Sequence, residues 1–361
     1  MPERAIVLAA RTLEEFAGRL LEAAGVPAAK AALVAGSLVA ADLRGVDTHG
    51  VQLLTFYLQR LESRDLNPFA EGHVISESGG CLLYDGENGL GQVVSEICCG
   101  HAVRLAKEHG VALVVARDSN HFGSAAFWAR KISAQGALGT VMCNASAIVP
   151  PWQGREGKLG TNPICVSVPG DEGKPWLLDM ATTTVAAGKV FRAFLGGEPN
   201  IPAGWALDSS GAPTTDTQAA YHGLLMPLGG YKGSGLAMMV EILCGVLSGG
   251  AMSTDVGGIR THGAPARTSQ AFLAIDVARF LPLDEFRTRV EWLVENVKAS
   301  LPAAGYEEVL VAGDPEWRSE ERRRREGIPL SEALWEKLAA SAARLGVSIP
   351  PTPETGPAPA L

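Results

Sequence analysis

Apolar side chains recur at helical spacing near both ends of the chain. The first predicted helix is "RTLEEFAGRLLEAAG", in which Thr12 and Glu15 have the spacing of a capping box and Gly25 ends the helix. Two more helices follow in "PAAKAALVAGSLVAADLR" and "VQLLTFYLQRL". Toward the C-terminus, three further helices are predicted in "LDEFRTRVEWLVENVKAS", "PEWRSEERRRREG" and "SEALWEKLAASAARLG". The pattern therefore predicts helical units at both ends.

Between these helical ends the apolar runs become short and are separated by turn residues. Two strands are predicted around a Gly-Gly turn in "HVISESGGCLLYDG". Later strands are predicted in "VALVVAR", "GALGTVMCNA", "NPICVSVP", "PWLLDMAT" and "QAFLAID". Helices are predicted between them in "GQVVSEICCGHAVRLAKEHG", "TTVAAGKVFRAFLG" and "GSGLAMMVEILCGVL". Strands and helices mixed in this order predict an α/β core with a layered, mixed sheet.

Composition narrows the class of protein. Hydrophobic residues make up 47% of the 361 residues, which is typical of a well-packed globular chain. The net charge of −8 opposes binding to nucleic acid or to an anionic membrane, because both require a basic surface. No apolar run reaches membrane length, the N-terminus lacks a signal-peptide pattern, and the six cysteines form no metal-type spacing. We expect a cytoplasmic protein with no bound metal.

Two common nucleotide-binding fingerprints are missing from the sequence. No G-x-G-x-x-G follows a predicted strand, and no G-x-x-x-x-G-K-[ST] occurs. "GGYKGSGL" opens a helix and is either an anion-binding turn or merely a tight turn. The arginine run at 322–325 alternates with glutamates, which favours a solvated, salt-bridged helix face over a role near a cofactor phosphate.

The segment "RGVDTHG" concentrates polar chemistry just after a predicted helix. His49 would feel the negative end of that helix, which favours its protonated form, and Thr48 offers a neighbouring hydroxyl. Such a pair suits a general acid that delivers a proton to a carbonyl oxygen. The alternative is that Asp47, Thr48 and His49 only cap the helix.

Three more polar clusters lie at the ends of apolar elements. "DSNHFGSAA" brings His121 to a strand end, with Gly123 and Ser124 opening a helix whose N–H groups can bind phosphate. "GKLGTNPICVSVP" places Thr161 and Asn162 before a strand, and "LLDMATTTVAAGKV" contains Asp179 and Lys189. Lys189 either reaches solvent or faces a polar cleft. Together the clusters indicate an enzyme with a His-centred acid/base site and an anionic ligand.

Five segments, in this order and at these spacings, resemble the malate/L-lactate dehydrogenase family: "DLRGVDTHGV", "SNHFGSAA", "LGTNPICVSVP", "LDMATTTVAAGKV" and "LGGYKGSGLAMMVEIL". The resemblance extends over about residues 10–345. It implies a homodimeric oxidoreductase that uses NAD or NADP to reduce small 2-oxo acids to 2-hydroxy acids, or in some members imines. It also implies an L-sulfolactate dehydrogenase-like fold that is not a Rossmann fold.

The resemblance assigns roles residue by residue. His49 takes the general acid/base role with Thr48 in support, and His121 is the second catalytic candidate, beside the nicotinamide. Lys189 falls at a catalytic position where imine-reducing members carry an aspartate, so a lysine there favours a 2-oxo acid. Substrate contacts are expected from Arg44, Thr161 and Asn162. Cofactor contacts are expected from His121, Phe122, Gly123, Ser124, Ala125, Asp179, Met180, Ala181, Gly229, Gly230, Gly313 and Asp314.

One position departs from the family pattern. Many members carry an arginine four residues after the catalytic histidine, where it would bind the substrate carboxylate, and this chain has Leu53 there. Arg44, Arg60 or Arg155 is expected to supply the cation instead. The substitution leaves the substrate open between a malate- or lactate-like acid and a larger keto acid such as diketogulonate.

Two other functions compete with the dehydrogenase. A non-catalytic relative that only binds the nicotinamide nucleotide is one of them. A hydrolase is the other, and it is disfavoured because no G-x-S-x-G segment occurs.

The resemblance and the periodicity together divide the chain into four parts. Residues 1–72 with 283–345 are expected to form a helical subdomain. Residues 73–118 with 232–282 are expected to form the cofactor-binding part of the core. Residues 119–231 are expected to form a sheet lobe with substrate and cofactor contacts, and 346–361 a Pro-rich, disordered tail.

Overall fold

The computed structural model describes residues 4–170, 174–351 and 356–357. The helices, in chain order, are α1 (Ala10–Ala23), α2 (Ala28–Leu43), α3 (Leu54–Glu62), α4 (Gly91–His109), α5 (Ala125–Ser133), α6 (Ala187–Leu195), α7 (Thr217–Tyr221), α8 (Tyr231–Glu241), α9 (Leu283–Lys298), α10 (Asp314–Glu326) and α11 (Glu332–Leu345). The strands are β1 (Arg4–Leu8), β2 (His73–Ser78), β3 (Cys81–Asp85), β4 (Val111–Ser119), β5 (Ala137–Cys143), β6 (Ile164–Val168), β7 (Trp176–Met180), β8 (Ala206–Leu207), β9 (Pro213–Thr214), β10 (Leu224–Leu225), β11 (Thr268–Asp276), β12 (Ile328–Ser331) and β13 (Gly356–Pro357). The helices and strands predicted from the apolar pattern are present.

A seven-stranded mixed sheet forms the centre, in the order β2-β3-β4-β11-β5-β6-β7. The pairing of β3 with β4 is parallel, and the other five pairings are antiparallel. The strand β11 comes late in the sequence yet lies between β4 and β5, so it bonds to both. The expected layered, mixed α/β sheet is confirmed.

Helices cover both faces of this sheet. On β11, Phe272 packs into a core with Trp128 and Leu105 of α5 and α4, whereas its neighbour Ala271 packs with Val240 on the α8 side. Successive strand residues point to opposite faces, so one strand serves both layers. The inner strands β4 and β11 contain near-continuous apolar runs because most residues on both of their faces are buried.

The N-terminal helices share a core with the C-terminal helix α11. Leu13, Phe16 and Leu38 are fully buried there with Leu338. The short strand β1 contributes too, because it pairs antiparallel with β12. The helices α1, α2 and α3 thus share one hydrophobic core with α11, and the division of the chain into four parts stays a prediction. The helix α9, which was assigned to the same unit, has no buried residue.

Three local expectations need correction. The helix α1 begins at Ala10 after an Ala9 cap, so Thr12 lies inside the helix and the capping box with Glu15 is wrong. Glu15 instead accepts a hydrogen bond from Arg11 Nε at 2.8 Å. The strand β1 was missed, because only Ala9 separates it from α1 and no turn residue marks its end. In the tail, Gly356–Pro357 pairs with β1, and 352–355 and 358–361 lie outside the described residues.

Within the part of the chain that is described, no helix is long and apolar enough to cross a membrane. Among the same residues, no group of three or more His, Cys, Asp or Glu side chains is placed to hold a metal ion. The cytoplasmic location stays a prediction.

Arg60 fastens the segment before β11 to the helix α3. It is 2% exposed, and its guanidinium donates hydrogen bonds to the backbone oxygens of Thr261 at 2.6 Å, Ala264 at 3.1 Å and Asp65 at 3.3 Å. A buried guanidinium that serves several carbonyls in this way holds a loop rigidly. Arg60 is thus a structural residue, and its expected role as a substrate cation is not supported.

Replacing Arg60 by methionine should destabilise the fold, because the buried carbonyls lose their donor. We expect the free energy of unfolding to fall by about 2 to 3 kcal/mol, measured by urea denaturation. Arg19→Met is the control, since Arg19 is an exposed residue of α1 and should change the value by less than about 0.5 kcal/mol. Equal effects of the two variants would contradict the structural role.

Candidate active site

A cavity of about 790 Å³ opens at one edge of the central sheet, where β4, β5 and β7 end and β6 and β11 begin. Its walls also include the segment between α2 and α3 and the segment before α10. Most of the expected site residues line it: Arg44, Thr48, His49, His121, Phe122, Gly123, Ser124, Ala125, Thr161, Asp179, Met180, Ala181 and Gly313. Residues from widely separated parts of the sequence thus converge on one space.

Five expected site residues lie outside the cavity lining: Asn162, Lys189, Gly229, Gly230 and Asp314. The amide of Asn162 is fully used inside the protein, because it accepts from Ala145 N at 2.9 Å and donates to Ala237 O and Glu241. Asp314 binds Lys298 Nζ at 2.8 Å. Lys189 is exposed on α6, as the solvent-reaching alternative predicted. We therefore do not retain the substrate role of Asn162.

The histidine segment is packed tightly between two neighbours. Val51 N donates to Asp42 Oδ2 at 2.9 Å, and a Cβ added at Gly50 would lie 1.7 Å from Asp42 Oδ1. On the other side, a Cβ at Gly188 would lie 2.4 Å from Thr48 Cγ2. Both glycines are therefore required by close approach, and the segment has little freedom to move.

Arg323, on the helix α10, binds the segment that carries His49. Its guanidinium is 4% exposed, donates to both carboxylate oxygens of Asp47, with Nη2 to Oδ2 at 3.2 Å, and also donates to the backbone oxygen of Asp42. The expectation that the arginine run at 322–325 is a solvated face is wrong for this member. Two parallel hydrogen bonds between a guanidinium and a carboxylate fix the orientation of the carboxylate and also neutralise its charge.

His49 lies half-buried in the cavity wall, at the end of a 3₁₀ turn formed by Asp47–His49. Its Nδ1 is 3.0 Å from Thr48 Oγ1, so Nε2 is the nitrogen left for a ligand. Burial lowers the pKa of His49, and the Asp179 carboxylate opposes this effect. The expectation that the preceding helix favours the protonated form is thus overturned, because desolvation outweighs the helix dipole.

His121 is held by a chain of hydrogen bonds that sequence reasoning missed. Gln92 Nε2 donates to Tyr57 Oη at 2.9 Å, and Tyr57 Oη lies 2.7 Å from His121 Nδ1. The Gly123 N–H also donates to this Nδ1, at 3.2 Å. A nitrogen that accepts from a backbone N–H carries no proton, so neutral His121 has its hydrogen on Nε2.

Burial, together with the nearby His49 and Arg260, lowers the pKa of His121 to about 3. His121 is therefore neutral at ordinary pH. Its ring lies 5.8 Å from that of His49, with the planes inclined by 20°. One cavity thus holds two stacked imidazoles, of which one is fixed in the neutral Nε2–H form.

Asp179 ends β7 and caps the helix α5. Its Oδ2 accepts from Ser124 Oγ at 2.9 Å and from Ala126 N at 3.0 Å. A phosphate was expected to use the N–H groups at this helix start. The carboxylate already bonds the Ala126 N–H, and His121 takes that of Gly123, so two of the N–H groups at this helix start are engaged within the protein.

Arg44 is a candidate for holding an anion within the cavity. It is 5% exposed, and its Nε and Nη1 make no hydrogen bond within the described residues. Its guanidinium lies 4.9 Å from the Trp317 ring, and Nη1 is 4.0 Å from Glu320. Buried donors without partners are costly, which points to a ligand that satisfies them.

Arg260 also lines the cavity, although no pattern in the sequence pointed to it, whereas Arg155 does not. Tyr57 and Gln92 were missed because each lies on a helix among apolar residues, where neither spacing nor neighbours set them apart.

Comparison with known proteins gives consistent matches over nearly the whole chain. A family described as malate/L-lactate dehydrogenase matches residues 8–339. Malate dehydrogenase from Pyrococcus horikoshii is 38% identical over 343 residues, covering 93% of this chain and 94% of that protein. The solved structure of a malate dehydrogenase from that organism superposes with a TM-score of 0.88 at 36% identity, covering 96% of this chain and 99% of the other. Sulfolactate dehydrogenase from Methanocaldococcus jannaschii superposes with a TM-score of 0.89 at 33% identity, covering 95% and 98%. The L-sulfolactate dehydrogenase-like fold is confirmed.

Replacing Tyr57 by phenylalanine should release His121 Nδ1 from one donor. We expect the pKa of His121 to rise and the free energy of unfolding to fall by about 1 kcal/mol. Imidazole ¹⁵N NMR across a pH series measures the first quantity, and urea denaturation the second.

Tyr84→Phe is the matched control, since Tyr84 is also buried and donates to Glu71 O outside the cavity. It should lose similar stability without moving the His121 titration. An Nδ1–H tautomer of His121 in the unaltered protein would contradict this arrangement.

Proposed function

This chain belongs to the malate/L-lactate dehydrogenase family, and we propose that it interconverts a small 2-oxo acid and its 2-hydroxy acid with NAD or NADP. The observation that carries the proposal is the pair of stacked imidazoles, His49 and His121, in one cavity. Their hydrogen-bond partners differ, so the two rings can perform different tasks on one carbonyl group.

The cavity suits a nicotinamide nucleotide together with a small acid. Its volume of about 790 Å³ falls within the range of about 300–1,000 Å³ that is usual for ligand pockets. Arg44 supplies buried donors for an anionic group, and Gly313, with φ of 99°, lets the backbone approach closely. When bound, the reduced nicotinamide would supply the two electrons that the carbonyl carbon takes up.

His49 is assigned the proton transfer. Its Nε2 is free while Thr48 engages Nδ1, so the protonated ring can donate to the substrate oxygen. The lowered pKa of His49 makes its imidazolium a stronger acid and leaves the ring neutral, ready to act as a base, in the opposite direction. The Asp179 carboxylate favours the charged form of His49 and so limits the lowering of its pKa.

His121 is assigned a hydrogen bond rather than a proton transfer. With Nδ1 occupied by two donors, its Nε2–H can polarise a carbonyl oxygen while the ring stays neutral. A neutral imidazole in this role stabilises developing negative charge without exchanging its proton. Of the two histidines, His49 is therefore the acid/base.

The substrate is proposed to be a short acid with a second anionic group. The relatives named above act on malate and on sulfolactate, which both carry two anionic groups. The cavity here offers the cations Arg44 and Arg260 beside the apolar Leu53.

The test is a panel of 2-oxo acids, assayed with NADH and with NADPH, for the unaltered enzyme and for His49→Ala. We expect turnover of at least one acid and a loss of about 10²–10⁴-fold in kcat for the variant. In the unaltered enzyme, kcat/KM for reduction should fall as pH rises through a pKa below 6.5, since the acid must be protonated.

His109→Gln, at an exposed position on α4, is the control and should leave both quantities unchanged. Turnover by His49→Ala at the level of the unaltered enzyme would remove His49 from the mechanism, and an unaltered enzyme that reduces no acid would favour the non-catalytic relative.

We further propose that the enzyme is a homodimer that buries the outer face of α8. Met238, Ile242 and Val246, spaced by four residues along α8 and its π-helical continuation, are 59%, 47% and 50% exposed. Tyr231 and Trp152 beside them are 64% and 52% exposed. A monomer rarely leaves such an apolar patch in water, and a second copy of the chain would cover it.

Placing two charges on this stripe should separate the subunits. We expect the double variant Met238→Glu/Ile242→Glu to sediment as a monomer, with half the mass of the unaltered protein, because buried unpaired carboxylates oppose association. Phe69→Glu, at a 67% exposed apolar position outside the stripe, should leave the mass unchanged. A monomeric unaltered protein would rule the dimer out.

A further inference from the structure

Arg260 is a cation at the cavity mouth that has no acidic partner. It belongs to the segment 257–261, which lines the cavity just before β11. Among the described residues, no carboxylate forms an ion pair with it and no acceptor takes its hydrogen bonds. A guanidinium that is left unpaired beside a ligand cavity has its donors available for an anion.

Two aromatic rings hold the plane of this guanidinium. Its Cζ lies 4.2 Å from the centre of the Phe191 ring and 5.4 Å from that of Phe56. Stacking on ring faces satisfies the flat surface of the group and leaves its N–H edge for a planar partner. Phe191 comes from α6 and Phe56 from α3, so both neighbours belong to helices rather than loops.

The backbone on either side of Arg260 is also fixed. Arg60 donates to Thr261 O at 2.6 Å and to Gly258 O at 3.4 Å, which ties the residues flanking Arg260 to α3. The cation is therefore held by its own backbone as well as by the rings that it stacks on. Because the side chain is already held in place, it loses little conformational entropy when it binds an anion.

Arg44 is less suited to the substrate than Arg260. The Arg44 guanidinium lies 4.0 Å from Glu320, so part of its charge is already balanced. Arg260 has no such partner and is close enough to His121 to lower the pKa of that imidazole. Arg260 also packs on Phe56, the chain neighbour of the tyrosine that bonds His121, so it lies at the histidine end of the cavity, where Leu53 contributes no charge.

Building on the proposed function, we propose that Arg260 binds the carboxylate next to the carbonyl carbon of the 2-oxo acid. The position four residues after His49 carries no charge, because it is Leu53. Arg260, from the segment before β11, would supply the missing cation. Arg260 is then a specificity residue that distinguishes acids from uncharged carbonyl compounds.

The test compares a 2-oxo acid with the amide of the carboxyl group next to its carbonyl carbon, oxaloacetate with its 1-amide, for the unaltered enzyme and for Arg260→Gln. We expect the unaltered enzyme to prefer the acid in kcat/KM, and Arg260→Gln to lose about 10- to 100-fold of that preference. Most of the loss should lie in KM for the acid, while KM for the amide should hardly change.

Arg267→Gln is the matched control. Arg267 lies seven residues after Arg260, directly before β11, binds Asp118 at 3.3 Å and does not line the cavity, so its removal should leave the preference intact. Because Arg260 is exposed, Arg260→Gln should keep the melting temperature of the unaltered enzyme, which circular dichroism measures.

The outcomes separate the two proposals. An unaltered enzyme that reduces no 2-oxo acid overturns the proposed function and this inference with it. An active enzyme in which Arg260→Gln keeps the full preference for the acid overturns the inference alone. Equal losses for acid and amide also overturn it, because they would show that Arg260 only supports the fold.

Discussion

The ion pair between Arg323 and Asp47 is the constraint on which the site depends. It joins α10, near the C-terminus, to the turn that carries Thr48 and His49, and the same guanidinium also takes the backbone oxygen of Asp42. Because Arg323 is buried, loss of the Asp47 carboxylate would leave a buried guanidinium without its acidic partner. The placement of His49 therefore depends on the distant end of the chain, and the helical unit and the active site cannot be separated.

Desolvation and hydrogen bonding give the two imidazoles different chemistry. Burial favours the neutral ring at both positions, but Asp179 opposes it at His49, whereas the charges of His49 and Arg260 reinforce it at His121. The backbone N–H of Gly123 then fixes the tautomer of His121. Environment thus distinguishes two side chains of the same type, and the sheet edge brings them within stacking distance.

Local patterns in the sequence were enough to predict the mixed sheet, its helices and both histidines. Turn residues and apolar periodicity are local, and "RGVDTHG" and "SNHFGSAA" lie at element ends where polar side chains stand out. Contacts between distant segments could not be predicted in this way. Arg323 looked like one more surface arginine, Tyr57 looked like a core residue, and Arg260 lay in an unremarkable loop. Each has its role only through residues at least 64 positions away in the chain.

The position of β11 governs how the chain can assemble. This strand, Thr268–Asp276, fills the gap between β4 and β5, which precede it by more than a hundred residues. Until the ribosome has released it, β4 and β5 each present an unpaired edge. Folding of the central sheet is therefore a late, non-local event with a large loop-closure cost, and nascent chains pass through a stage that is vulnerable to edge-to-edge association. The strand whose first residue lines the cavity therefore leaves two strand edges open until it emerges from the ribosome.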